Sequence, residues 1–177
     1  MIGLLRCIGV LNAAIWFGAG IFFTVFVGPA IFSKDMELLL QQYYKPYSGL
    51  IAQMMIARYF TLSIVCGIVA IIHLLAEQFY FGRAPQKRWL SLLVALLTLS
   101  LLGGCILQPR MRDWQKLRYD AKTPPQTRET ATHSFQMWHG ISQAANVLML
   151  IGLGFYLVRV GNPQEPTRFI GSGKFRS

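Results

Sequence analysis

Four long apolar runs limit what this chain can fold into. They cover residues 8–32, 57–80, 89–107 and 135–158, and the only charged residues within them are Arg58 and Glu77. One helix needs about 20 mostly apolar residues to cross the hydrocarbon core of a bilayer. Each run meets that length, so the sequence predicts an all-α integral membrane protein, a bundle of four transmembrane helices.

The charge of the chain fits the same interpretation. Its net charge is +10 and 54% of its 177 residues are hydrophobic. Because the Lys and Arg residues flank the apolar runs, we expect them to face lipid headgroups rather than nucleic acid. The bilayer is therefore the expected partner. We predict one four-span domain over residues 1–160 and a flexible basic tail over residues 161–177.

Two segments outside the runs are also predicted to be helical. Residues 35–44 form a short amphipathic pattern, with Ser33 as N-cap, and we expect this helix to lie on the membrane surface after the first span. Pro46 is expected to end or kink it. Residues 110–120 are expected to extend the third span, with Met111, Trp114 and Leu117 in one stripe. Residues 124–125, Pro-Pro, then break the helix before the fourth begins.

A polar stripe on the fourth span is the main candidate site. Its residues follow the spacing i, i+3, i+4 and i+7 and are His139, Ser142, Gln143 and Asn146. Polar atoms facing lipid would lack partners, so the stripe must face the bundle interior or a hydrated cavity. Two interpretations are open: a hydrogen-bonded seam between helices, with Asn12 of the first span as a partner, or a small polar pocket.

His73 and Glu77, one helical turn apart in the second span, form a candidate ionisable pair. The pair suits either proton relay or simple anchoring near the headgroups. His73 and His139 lie toward opposite ends of their spans, so a shared metal or haem site is not expected. We predict no metal site, no catalytic residues and no cofactor, with haem kept only as an alternative.

Small residues in the first span predict close helix packing. Ala14 and Gly18 are spaced four apart, a pattern that lets a neighbouring helix approach. The remaining members of this set are Gly20, Gly28 and Pro29.

Short motifs in two places, the first and the fourth span, resemble a known family. Residues 16–18 are Trp-Phe-Gly, residues 28–32 are Gly-Pro-Ala-Ile-Phe, and residues 139–146 begin His-Gly-Ile-Ser and end in asparagine. These segments resemble the small membrane family called domain of unknown function 4149, which is akin to the eukaryotic transmembrane protein 205. The resemblance spans the chain to about residue 160. It implies a four-helix membrane bundle with no established activity.

These observations favour a small non-enzymatic membrane protein that binds a lipid, a hydrophobic solute or a membrane partner. Two alternatives stay open: an accessory subunit of a respiratory or photosynthetic complex, and a haem- or metal-dependent oxidoreductase. The short connection at residues 81–88 contains three basic and no acidic residues. The 17 Lys and Arg residues divide almost evenly between the two sides of the membrane, so the positive-inside rule hardly discriminates over the whole chain. We rest the orientation on this connection and expect it and both termini to lie in the cytoplasm of a bacterium, with the spans in the inner membrane.

Overall fold

In a computed structural model, which describes residues 2–81 and 86–162, the regular structure is helical throughout the described part. A single π-helical turn at Phe23–Val27 joins the first two helices, another at Gly103–Leu107 joins the fifth and sixth, and a 3₁₀ turn at Gln41–Tyr43 precedes the fourth. The helices are α1 (Ile2–Phe22), α2 (Gly28–Ile31), α3 (Lys34–Leu40), α4 (Tyr44–Phe81), α5 (Lys87–Leu102), α6 (Gln108–Tyr119) and α7 (Pro125–Gly161).

Four helical units in the described residues are long and apolar enough to cross a membrane, as predicted. They are Gly3–Ile31, Lys34–Tyr80, Lys87–Tyr119 and Pro125–Gly161. Two of them begin well before the predicted spans. With 38 and 37 residues, α4 and α7 are each about 55 Å long, whereas a bilayer core is about 30 Å thick. Nearly half of each helix therefore exceeds what a span requires.

The long helices form an antiparallel bundle. α1 packs against α4 and α7, and α5 packs against the same two helices, so the order around the bundle is α1, α4, α5, α7. The core between them combines aliphatic side chains with Trp16 and Tyr156, both almost fully buried. In water, burying one large apolar side chain contributes about 1.5–3 kcal/mol relative to leaving it exposed. Inside a bilayer, the van der Waals contacts of close helix packing stabilise the bundle instead.

Beyond the bundle, three helical segments continue together. We call the N-terminal part of α4, all of α6 and the N-terminal part of α7 the three-helix extension. Gln53 donates a hydrogen bond from Nε2 to the backbone oxygen of Met111 at 3.2 Å, and Trp114 stacks on Trp138 with ring centroids 6.4 Å apart. The predicted stripe on α6 is partly wrong: Gln115 is buried, whereas Leu117 is 39% exposed. The reason is that α6 packs between two helices and turns this glutamine toward α4.

The predicted surface helix forms, but it ends earlier than expected. The Ser33 side chain caps α3 by accepting a hydrogen bond from the Met36 backbone N–H at 3.3 Å. The break comes at Gln41, whose φ of 49° lies in the left-handed region. The prediction that Pro46 ends this helix is wrong, because that proline lies in the first turn of α4. The first turn tolerates proline, since its N–H groups have no partner within the helix.

Candidate functional site

The polar stripe of α7 meets the first span at one hydrogen bond. Asn146 donates from Nδ2 to the hydroxyl of Thr24 at 2.8 Å, across 122 residues of sequence. Thr24 in turn donates to the backbone oxygen of Gly20 at 2.8 Å. The two bonds form a continuous chain from α7 to the backbone of α1. Such bonds between membrane helices contribute about 0.6–2 kcal/mol each.

Thr24 is placed by the π-helical turn at Phe23–Val27. A π turn widens the helix by one residue and leaves local backbone groups less regularly paired, and such turns are frequent at functional sites. Phe23, the first residue of the turn, stacks on Tyr59 of α4 with centroids 5.0 Å apart. The second π turn, at Gly103–Leu107, lies close to the neighbouring Phe60 ring, which packs against the backbone of Gly103.

Past the π turn at Phe23–Val27, the chain contacts α7 less than α1 does. The short helix α2 packs on α4 and makes little contact with α7. As a result His139 and Gln143 are exposed, although they point toward the side of α7 on which α1 packs. Their side chains lie 3.2 Å apart, Gln143 Nε2 to His139 Nε2. We refer to the region between α2 and this face of α7 as the α2/α7 crevice. The hydrogen bond between Asn146 and Thr24 joins the helices at one end of this region, and His139, Ser142 and Gln143 belong to its α7 side.

An aromatic column continues from the outer end of the crevice into the three-helix extension. The ring of Phe135 stacks on His139 with centroids 5.9 Å apart and planes 9° apart. The guanidinium of Arg118 lies 4.6 Å from the centre of the same Phe135 ring. A cation over an aromatic face contributes about 0.5–2 kcal/mol. This column holds His139 in one orientation and ties α6 to the wall of the crevice.

The polar stripe therefore does not act as one unit. Asn146 bonds across helices, whereas His139 bonds along its own helix. The expected partner was Asn12, and that pairing is wrong: Asn12 donates to the backbone oxygen of Cys66 on α4 at 2.9 Å. The antiparallel register explains this. Gly20 lies opposite Leu150, which places Asn12 and Asn146 about 12 residues, or about 18 Å, apart along the bundle.

A match to a family model covers residues 11–120, and the family is described as a domain of unknown function (DUF4149). The chain belongs to this family. The matched region runs from α1 to the end of α6, so it includes Thr24 and both π turns. The His139–Asn146 segment of this DUF4149 protein lies beyond the matched residues. No curated protein and no solved structure shows a significant match to the chain.

The candidate ionisable pair of this DUF4149 protein has separate partners. His73 Nε2 lies 3.0 Å from the backbone oxygen of Leu5 on α1. A carbonyl only accepts, so Nε2 carries the proton, while Nδ1 is buried without a partner. Glu77 instead forms an ion pair with Arg159 at 3.0 Å. Whether either residue carries protons stays a prediction.

The ion pair between Glu77 and Arg159 was missed by the reasoning from sequence. It crosses the bundle from α4 to α7, and Arg159 also donates to Gln86 at 2.7 Å. Its guanidinium lies 5.8 Å from the centre of the Trp89 ring. One signal was available: both charged residues lie close to the ends of helices that run in the same direction, so they reach the same depth. The pair joins three helices at the end of the bundle where α1 begins and α7 ends.

The five small residues predicted to pack are not equivalent. Gly20 is buried against Leu150, and a Cβ at its position would lie 3.2 Å from the Tyr59 hydroxyl. Ala14 and Gly18 are exposed, and nothing lies within 4 Å of a Cβ placed on Gly18. The other two, Gly28 and Pro29, lie in α2, which packs on α4. The spacing of Ala14 and Gly18 thus marks an outer face of α1.

The histidines of the bundle lie at different depths. Gly20 lies against both Tyr59 and Leu150, so residue 59 is level with about residue 150, and His73 and His139 are more than about 20 Å apart along the bundle axis. A metal bound by both would need each nitrogen within about 2.1 Å. In the described part of the chain, no three His, Cys, Asp or Glu side chains lie close enough together to hold a metal ion.

Proposed function

We propose that this DUF4149 protein is a membrane-embedded binding protein for a lipid or a lipid-like amphiphile. The α2/α7 crevice would hold the polar part of that molecule. The observation that supports this most is that the polar side chains of His139 and Gln143 are exposed on a membrane-spanning helix, one to two turns from the hydrogen bond between Asn146 and Thr24. A polar wall that opens between two apolar helices suits a ligand with a polar head and an apolar tail.

The surroundings of the crevice support a position near the headgroups. The side chains of Leu38 and Leu39 on α3 are 75% and 76% exposed, next to the acidic first turn of the same helix. Such a helix would lie in the interfacial layer with its leucines covered by lipid. Since α3 follows α2 after two residues, the crevice would open at that depth. We place the protein in a bacterial inner membrane, with both termini in the cytoplasm.

Photo-crosslinking would test the crevice directly. The full chain would carry p-benzoylphenylalanine at Gln143 and be reconstituted in nanodiscs of known lipid composition. The matched control would carry the same group at Phe155, which is 63% exposed on a different face of α7, about 120° around the helix from Gln143. We expect adducts at position 155 to follow the composition of the bilayer and adducts at position 143 to be enriched at least threefold in one lipid class. Equal adduct profiles at the two positions would refute the proposal.

A role as a subunit of a larger membrane assembly is the second candidate. It is favoured by Ala14 and Gly18, which offer a small, uncovered surface on α1 to another helix. Native mass spectrometry of the protein extracted in mild detergent would separate the two candidates. A co-purifying subunit that is lost in a Gly18→Leu variant would support assembly, and a single chain carrying lipid would support the binding role.

A further inference from the structure

The link between α1 and α2 departs from a regular α-helix in three ways. The backbone N–H of Gly28 bonds to the carbonyl of Phe23, five residues back, as in a π turn. Pro29 follows and has no N–H with which to resume the regular pattern. The hydroxyl of Thr24 bonds back to the carbonyl of Gly20, an arrangement that often bends helices. Few regular hydrogen bonds therefore hold α2 in line with α1.

The chain is held firmly at the start of this π turn and loosely after it. Phe23 stacks on Tyr59 of α4, and Thr24 accepts the hydrogen bond from Asn146 of α7. We call α2 and α3, with the two residues between them, the α2–α3 arm. Of all the residues of the arm, only Ile31 is buried. The packing thus fixes the base of the arm and leaves most of the arm exposed.

The arm also ends at a break in the helical backbone. Gln41, the residue after α3, has a φ of 49°, a value that strains a residue other than glycine. It begins a 3₁₀ turn, Gln41–Tyr43, that leads into α4. Within the arm, Ser33 is extended, with φ −78° and ψ 161°. The arm therefore lies between two irregular connections, and hinges are usually a few residues of this kind at the ends of helices.

The second π turn provides an internal comparison. It is also five residues long, the N–H of Gln108 bonds back to the carbonyl of Gly103, and Pro109 follows. The helix after it is α6, in which Gln115 is buried and Trp114 stacks on a tryptophan of α7. The same backbone arrangement is thus followed by a firmly packed helix in one place and by a loosely packed arm in the other.

We propose that the α2–α3 arm is hinged at the π turn Phe23–Val27 and moves relative to α7, while α6 stays in place after the equivalent turn. Segments with few buried side chains and irregular backbone bonding open locally at a low cost in free energy. The side chains of Leu38 and Leu39 are exposed on α3 and keep the arm in the interfacial layer. The motion therefore runs along the membrane surface, toward α7 or away from it.

The motion changes how far the polar face of α7 is covered. Because α1 and α7 are antiparallel and Thr24 bonds to Asn146, residues 28–31 are level with residues 139–143. An arm close to α7 covers His139 and Gln143, and an arm away from α7 leaves them to lipid. Lipid that binds this face selects one arm position over the other. This regulatory role rests on the proposed function.

Distances between pairs of spin labels, measured by double electron–electron resonance, would test the motion. The full chain, with its three cysteines replaced by alanine, would be reconstituted in nanodiscs. Both label pairs share Gly140→Cys on α7, where a side chain meets open space. The arm pair adds Ala30→Cys on α2, and the reference pair adds Lys116→Cys on α6; both positions are exposed.

We expect the distance distribution of the arm pair to be about twofold broader than that of the reference pair, because the arm occupies more than one position. Pro29→Ala restores an N–H and permits a regular helix, so it should narrow the distribution of the arm pair. Pro109→Ala is the matched control and should leave that distribution unchanged. Deleting Val25, which removes the extra residue of the π turn, is the second variant if Pro29→Ala does not fold.

Two results would overturn the hinge. One is an equal width for the two label pairs in the wild type. The other is an arm-pair width that neither Pro29→Ala nor the deletion of Val25 changes.

Crosslinking at Gln143 separates the hinge from its regulatory role. If Pro29→Ala narrows the distances but leaves the adduct profile at Gln143 unchanged, the hinge is right and the regulatory role is wrong. If the adducts at Gln143 show no selectivity in the wild type, the proposed function fails, and the distances still decide on the hinge. Changes in both measurements support both.

Discussion

The contact between Gly9 and His73 gives the sharpest test of the packing. Gly9 is buried on α1, and the imidazole ring of His73 occupies the space that a Cβ at position 9 would need. The ring cannot simply move away, because its Nε2 is hydrogen-bonded to the backbone oxygen of Leu5. Gly9→Ala must therefore displace the ring, the helix or both.

The expected cost follows from three contributions. Overpacking a tight contact costs about 1–3 kcal/mol, and losing one hydrogen bond costs about 1 kcal/mol. Alanine is favoured over glycine within a helix by about 1 kcal/mol, which offsets part of this. The net loss is about 2 kcal/mol, which lowers Tm by about 4–8 °C for a chain of this size. Thermal unfolding of the purified protein in detergent, followed by circular dichroism, measures the shift.

Gly18→Ala is the matched control, because it lies on the same helix and a Cβ there meets open space. We expect it to leave Tm unchanged or to raise it slightly. Gly9→Ala combined with His73→Ala should recover part of the loss, since the smaller side chain leaves room for the new methyl group. Equal Tm values for Gly9→Ala and Gly18→Ala would refute the close packing of α1 on His73.

Two further predictions concern the ends of the bundle. Glu77→Gln should lower the free energy of unfolding by about 1–3 kcal/mol, since it leaves the partly buried Arg159 without its counter-charge. The double variant with Arg159→Gln should be more stable than Glu77→Gln alone in the same thermal assay. An additive loss would show that the two residues are not coupled. Gly103→Ala should lower the free energy of unfolding by about 1–3 kcal/mol, because the Phe60 ring packs on this glycine. Gly140→Ala is the control: a Cβ there meets open space, so Tm should not fall. An unchanged Tm for Gly103→Ala would contradict the packing at the second π turn.

The apolar runs were sufficient to predict the four long helices. Each run is too long and too apolar for any water-exposed segment, so its helical state follows from composition and length alone. The cap at Ser33 and the break at Pro124 could also be predicted from the sequence, since both depend on local backbone chemistry. Membership of the DUF4149 family was also predicted, from short motifs in the first and fourth spans, of which only those of the first span lie within the matched residues.

The hydrogen-bond and ion-pair partners of the polar side chains could not be predicted from the sequence in the same way. The stripe on α7 was predicted from its helical spacing, but its partner on α1 is Thr24 rather than Asn12. The partner depends on the register between α1 and α7. Spacing along one helix carries no information on that register. The same holds for Glu77, which was assigned to a neighbour on its own helix and pairs instead with Arg159.

By itself, the sequence determined what each segment is: four long apolar helices, a capped short helix after the first, and a polar face on the fourth. Only the tertiary structure decided which faces meet. α2 packs on α4, and the α7 side chains of His139 and Gln143 are exposed. The packing of the helices buries Trp16, Tyr59 and Ser63. The reason is physical: helix formation depends on contacts a few residues apart, whereas depth and register depend on contacts between residues distant in the chain.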